Sequence, residues 1–166
     1  MVGLVTRPAE GEVALADEAA TARLGAGVGR MLAAGEAVCL WGPLGAGKST
    51  LARGLVRALT GPAEDVPSPT FTLVQFYDGQ SLDGQSLALA HFDLYRLTRA
   101  DEAYEIGLDE ALEDGAAIIE WPERLEGRLP VDRLDIELSI VGPPGDETRG
   151  ARLTPHGTWE GRSIEF

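Results

Sequence analysis

The chain has 166 residues, 44% hydrophobic and 25% charged, and its 27 acidic against 14 basic residues give a formal net charge of −13. That is enough for one domain with a proper core, and too acidic to grip nucleic acid unaided, because such binding leans on neutralising phosphate. A single cysteine, Cys39, excludes an internal disulfide, and no apolar run offers a membrane span or a leader, so a reducing, cytoplasmic setting without a membrane partner is expected.

Residues 1–15 read as an irregular or weakly extended lead-in. Asp17 or Thr21 then caps a predicted helix with Ala20, Leu24, Val28, Met31 and Leu32 on its apolar face, ending at Gly35. Gly25, Gly27 and Gly29 lower its helix propensity, so close packing against a neighbour is expected of them, although glycines near a nucleotide also admit the base. Ala37 to Trp41 is a short apolar strand. It runs into Gly42-Pro43-Leu44-Gly45-Ala46-Gly47-Lys48-Ser49, which fits G-x-x-x-x-G-K-[ST] at every fixed position. Leu51, Leu55 and Leu59 follow on one face of a helix that stops at Gly61-Pro62.

Strand, glycine loop and amphipathic helix in this order make a P-loop. Leu44, Gly45, Ala46, Gly47, Lys48, Ser49 and Thr50 are the candidates for holding phosphate, through backbone N–H groups and the positive potential of a helix N-terminus. Lys48 reaches toward the β- and γ-phosphates, and Ser49 offers its hydroxyl to Mg²⁺. Thirteen of the 14 basic residues are arginine, and the one lysine is Lys48. A compact ammonium therefore stands where phosphate needs one. The same count bears on the base. G-proteins read guanine with an Asn/Thr-Lys-x-Asp motif, which a chain with its one lysine in the P-loop lacks, so the expected nucleotide is ATP.

After a polar, proline-containing stretch (63–69), alternation predicts a strand from Thr70 to Tyr77. The pentapeptide DGQSL then occurs twice, at 78–82 and 83–87, and reads as an expanded hairpin loop before a return strand, 87–93. Thr98 to Leu112 predicts one or two short helices broken at Gly107. Ala116 to Ile119 is a buried strand ending at Glu120 and closed by Trp121-Pro122. Leu134, Ile136, Leu138 and Ile140 alternate with polar residues, and after a turn at 142–146 the segment 151–154 is expected to pair back. The fold class is α/β: a single-domain, P-loop NTPase-like fold over 16–154, with a mixed sheet (parallel plus an antiparallel hairpin) flanked by helices, and a tail over 155–166.

Two strands end in an acid, Asp93 and Glu120, and ligands bind beyond the carboxyl ends of such strands. Glu120 follows the cleaner apolar run and is the favoured metal-side carboxylate, with Asp93 positioning water or sharing the metal. Ser68-Pro69-Thr70 resembles a switch that senses the γ-phosphate, but spacing alone favours a plain loop-to-strand entry. His91, inside an alternating strand, reads as a core histidine, and Trp41 as packing beside the P-loop.

Taken together, GPLGAGKST (42–50), SPTFTLV (68–74), HFDLYRL (91–97), EIGLDEAL (105–112) and IIEWPERL (118–125) resemble the TsaE (YjeE) family, small bacterial P-loop ATPases of the pathway to threonylcarbamoyladenosine in tRNA. The resemblance runs from about Ala16 to Arg152. It implies slow ATP hydrolysis with Mg²⁺, coupled to a TsaB–TsaD pair that modifies adenosine 37 and itself holds the tRNA. By the same resemblance Lys48 and Ser49 bind phosphate and Mg²⁺, Glu120 is a second magnesium contact, Asp93 supports catalysis and Thr70 lies in a switch-like loop. Glu18 and Thr21 are placed near adenine, and Arg149, in a weakly matched tail, near the nucleotide. Pro43 and Ser49 depart from the family's commoner acidic or polar residue and Thr; the second keeps the hydroxyl. Two other readings are a small-molecule kinase and a nucleotide-gated binding module with incidental hydrolysis.

Overall fold

The structure, a computed structural model, describes residues 4–166. In chain order it comprises β1 (Thr6–Pro8), β2 (Gly11–Leu15), α1 (Glu18–Met31), β3 (Ala37–Trp41), α2 (Lys48–Thr60), β4 (Val74–Gln80), β5 (Ser86–Asp93), α3 (Asp101–Glu105), α4 (Leu108–Asp114), β6 (Gly115–Glu120), β7 (Arg133–Val141), β8 (Thr148–His156) and β9 (Ser163–Glu165). Seven strands form one sheet in the order β2-β8-β7-β3-β6-β5-β4. Its centre is parallel, β3 pairing with both β6 and β7 and β5 with β6. Both edges are antiparallel, through β4 on one side and through β8 and β2 on the other. The mixed α/β sheet expected from the sequence is therefore present.

Central strands buried on both faces read as continuous apolar runs, and alternation divides them between two cores. Val38, Leu40, Ala116, Ile118 and Leu89 pack with Leu51, Leu55 and Val56 of α2 and Leu24 and Val28 of α1. Ala37, Cys39, Ala117, Ile119 and Phe92 pack on the other side with Leu97, Ala103, Leu108 and Leu125. Asp17 caps α1 by accepting from the Ala20 amide at 2.8 Å. The glycines of α1 do pack closely: a Cβ at Gly25 would meet the Leu51 carbonyl of α2, and one at Gly29 would lie 2.8 Å from the Leu55 oxygen.

Three local expectations need correction. The strand predicted from Thr70 begins only at Val74, because Leu73 has φ of 69° and its amide donates to the Pro69 carbonyl at 2.6 Å, folding residues 69–73 into a turn. The repeated pentapeptide is not a wide loop. Gln80 pairs with Ser86, leaving residues 81–85 as the turn, so the duplication mostly lengthens the two strands. Residues 4–15 and 155–166, set apart as lead-in and tail, are joined to the body instead: β2 pairs with β8, β1 with β9, and Trp159 is fully buried. Arg162 of the tail pairs with buried Glu36 at 2.8 Å. Burial alone would raise the Glu36 pKa, but hydrogen bonds from Arg162, Thr158 and the Ala33 amide outweigh it and hold the carboxyl below its usual range.

Candidate functional site

Period-two alternation sets the chemistry on one face. Leu40 of β3 is in register with Glu120 of β6, and Glu120 with Asp93 of β5. Ile118 and Leu89, two and four residues back on their strands, belong to the core beneath α2. Glu120 and Asp93 thus finish adjacent parallel strands on the α2 side, beside the loop that starts α2.

There they border a cleft of about 410 Å³. Leu44, Gly45, Gly47, Lys48, Ser49 and Thr50 line it from the P-loop, Glu18 and Thr21 from the first turn of α1, Thr70 from the turn before β4, and Arg149 from β8. Arg149 Nε donates to the Gly45 carbonyl at 3.2 Å, tying β8 to the loop. Ala46 is the exception among the predicted residues. It is fully buried, and its amide donates to the Pro43 carbonyl within the loop at 3.2 Å.

The cradle requires glycine. Gly45 and Gly47 have φ of 82° and 110°, where a side chain is strained. α2 starts at Lys48, so its first amides have no partner within the helix and are free for an anion. Lys48 is 6% exposed. Its Nζ donates to the Gly42 carbonyl at 2.5 Å and stands 3.3 Å from the ring centroid of Trp121. Burial draws the ammonium pKa below the usual lysine range, while Glu120, Glu123 and Asp93 pull it back up. Asp93 is held on both oxygens, by Thr70 Oγ1 at 3.0 Å and the Tyr95 amide at 3.0 Å, and Ser68 Oγ is 2.8 Å from Thr70 Oγ1.

Among the described residues no group of three or more His, Cys, Asp and Glu could hold a metal by itself. The donors near Lys48 are hard oxygens: the Ser49 hydroxyl and the Glu120 and Asp93 carboxylates. That set fits Mg²⁺, which commonly takes one or two protein oxygens and completes its shell with phosphate and water.

A match to the family model for threonylcarbamoyl adenosine biosynthesis protein TsaE covers residues 15–146. The chain belongs to the TsaE family. Family members act in the biosynthesis of threonylcarbamoyladenosine in tRNA. Similar proteins include the tRNA threonylcarbamoyladenosine biosynthesis protein TsaE of Treponema pallidum, 40% identical over 73% of this chain and 85% of the relative. That of Streptomyces coelicolor is 38% identical over 79% and 87%. The crystal structure of Bacillus subtilis YdiB matches with a TM-score of 0.67 at 26% identity, covering 95% of this chain and 90% of that one. Family and P-loop fold are consistent with nucleotide and Mg²⁺ use. No helix among the described residues is long and apolar enough to cross a membrane.

Two residues beside the TsaE-family P-loop were given too small a part by sequence reasoning. The sequence pattern places Trp121 only at the close of a strand, yet it lines the cleft and lies under Lys48. It adopts φ of 60°, a left-handed conformation costing a bulky residue about 1–2 kcal/mol, which the following Pro122 and a ring contact with Tyr95 at 4.9 Å accompany. The available signal was its place directly after the strand-end acid. His91 is indeed buried, but Nε2 also lies 2.6 Å from Glu120 Oε2. Its spacing of two from Asp93, which puts both on one face, was the clue.

Proposed function

We propose that this chain binds Mg-ATP in the P-loop cleft and hydrolyses it slowly, coupling hydrolysis to turnover of a TsaB–TsaD threonylcarbamoyl transferase that modifies adenosine 37 of tRNA. The observation that carries this is the convergence of Lys48, Ser49, Thr70, Asp93 and Glu120 on one cleft at the carboxyl ends of β3, β5 and β6. The loop amides and Lys48 bind the phosphates, with Lys48 leaving Trp121 and the Gly42 carbonyl to do so. Ser49 and Glu120 hold Mg²⁺, directly or through water, which when bound neutralises charge on the β- and γ-phosphates. Asp93, fixed by Thr70 and the Tyr95 amide, retains lone pairs with which to orient the attacking water. Glu18 and Thr21 border the adenine, and Arg149 approaches the nucleotide from β8.

The net charge of −13 supports leaving the tRNA to the partners. Phe71, 86% exposed, sits beside Thr70 and gives a docked partner a lever on Asp93. That exposure also favours the second reading, a nucleotide-gated binding module. Among the described residues Arg149 is the only arginine lining the cleft, which gives no support to a kinase with an arginine-rich lid.

The test is phosphate release from Mg-ATP by the purified chain, alone and with TsaB–TsaD. Low activity that rises with the partners and is lost in Lys48→Ala is expected; activity indifferent to them would remove the coupling. Full tRNA modification by Glu120→Gln would favour the binding module.

A further inference from the structure

We propose that His91 is a positioning residue for Glu120, fixing which carboxylate oxygen faces the cleft; this rests on the reading of the cleft as a Mg-ATP site. His91 and Glu120 are both buried, on adjacent parallel strands, and Nε2 lies 2.6 Å from Oε2. An ionised carboxylate only accepts, so Nε2 carries the proton and donates. The ring's other nitrogen, Nδ1, is buried and has no partner among the described residues. The polar capacity that His91 uses is therefore directed at Glu120.

The two strand-end acids are held separately. Asp93 has Thr70 and the Tyr95 amide, whereas His91 is the one hydrogen-bond donor to the Glu120 side chain among the described residues. With Oε2 taken, Oε1 is left without a protein donor on a residue that lines the cleft. Without His91 the carboxylate could rotate, and the Lys48 ammonium, on which it already acts, would draw it away from the metal side. Groups that orient a metal-binding side chain in this way typically govern metal affinity by about 10- to 100-fold.

The experiment is a fluorescence titration of a fluorescent ATP analogue into the full chain, with and without Mg²⁺, for wild type, His91→Leu and His91→Gln. His91→Leu is expected to raise the Mg²⁺ concentration for half-maximal effect by about tenfold or more, leaving affinity without Mg²⁺ unchanged. His91→Gln, whose amide N–H reaches close to the Nε2 position, is expected to restore the wild-type Mg²⁺ response. A folded His91→Leu chain with the wild-type response overturns the proposal, as does a His91→Gln chain impaired like the leucine variant. Should His91→Leu fail to fold, His91→Asn takes its place. Its shorter amide cannot reach Glu120, so an asparagine variant responding like glutamine overturns the proposal and one responding poorly supports it. A wild-type chain with no Mg²⁺-dependent binding overturns the site reading and this inference together. Loss of the His91 effect alone leaves the site reading standing.

Discussion

On one face of the sheet α1 and α2 run for 14 and 13 residues and touch backbone to backbone through Gly25, Gly29 and Gly54. On the other face α3 and α4 have only 5 and 7 residues, and Gly107 with φ of 96° breaks them apart. The strand-borne polar groups His91, Asp93 and Glu120 all fall on the first face by alternation, while the second receives Cys39, Ala117, Ile119 and Phe92. Burial, reinforced by the nearby Asp135 carboxylate and opposed only in part by Arg133, pushes the Cys39 thiol pKa well up, as suits an inert core side chain. The difference teaches where this fold can support chemistry. A phosphate cradle needs a long helix held rigidly at its start, and the close-packed helix pair supplies that. The second face packs apolar side chains around Cys39, with Arg133 and Asp135 of β7 paired beside it at 3.1 Å.

The sharpest way to break the comparison is to remove chemistry from the first face without disturbing its packing. Lys48→Ala should lower ATP hydrolysis by roughly 100-fold or more, about 3 kcal/mol in the barrier, read by phosphate release. Removing a partner from the tail ion pair comes next. Arg162→Ala leaves Glu36 buried without its cation and should cost about 3 kcal/mol, seen as a lower midpoint in urea unfolding. The same pair predicts a pH dependence. Glu36 has a folded pKa below its ordinary value, so its contribution is complete above about pH 4.5 and is lost as pH falls through the folded pKa. Wild type should lose stability on acidification more steeply than Glu36→Gln, measured by urea midpoints across that range.

Smaller effects separate the helix pair from the hairpin. A methyl at Gly54 would run into the Ala22 carbonyl of α1. Gly54→Ala should therefore cost about 2 kcal/mol despite its better helix propensity, lowering the melting temperature by roughly 4–8 °C. If it stabilises instead, the close approach of the helices is not a constraint. Deleting one DGQSL copy should cost about 1.5 kcal/mol, mainly one leucine leaving the core, with ATP hydrolysis unchanged. After the deletion Asp78 can still pair with Ala88.

Much of the site was legible because its signals are local. The P-loop is a contiguous backbone shape that its own glycines dictate, and a strand ending in an acid can be read from a few residues. Thr70 and Asp93 were both singled out, but their 3.0 Å hydrogen bond spans 23 positions and depends on the turn at Leu73. Alternation carried the predicted strand through that turn, because the competing hydrogen bond to Pro69 leaves no mark in a hydropathy pattern.

The sequence by itself determined the P-loop, the order of its flanking strand and helix, the two strands that end in Asp93 and Glu120, and membership of the TsaE family. Only the tertiary structure decided what each buried group meets: Trp121 beneath Lys48, His91 on Glu120, and Arg162 of the tail on Glu36. The two DGQSL copies show why. They are identical, yet Leu82 is 71% exposed in a turn and Leu87 is 4% exposed in a strand. Local propensity cannot tell them apart. Pairing across the hairpin can, because closing the turn at 81–85 puts Leu87 in register with Gly79 and over the core, and leaves Leu82 nothing to pack on.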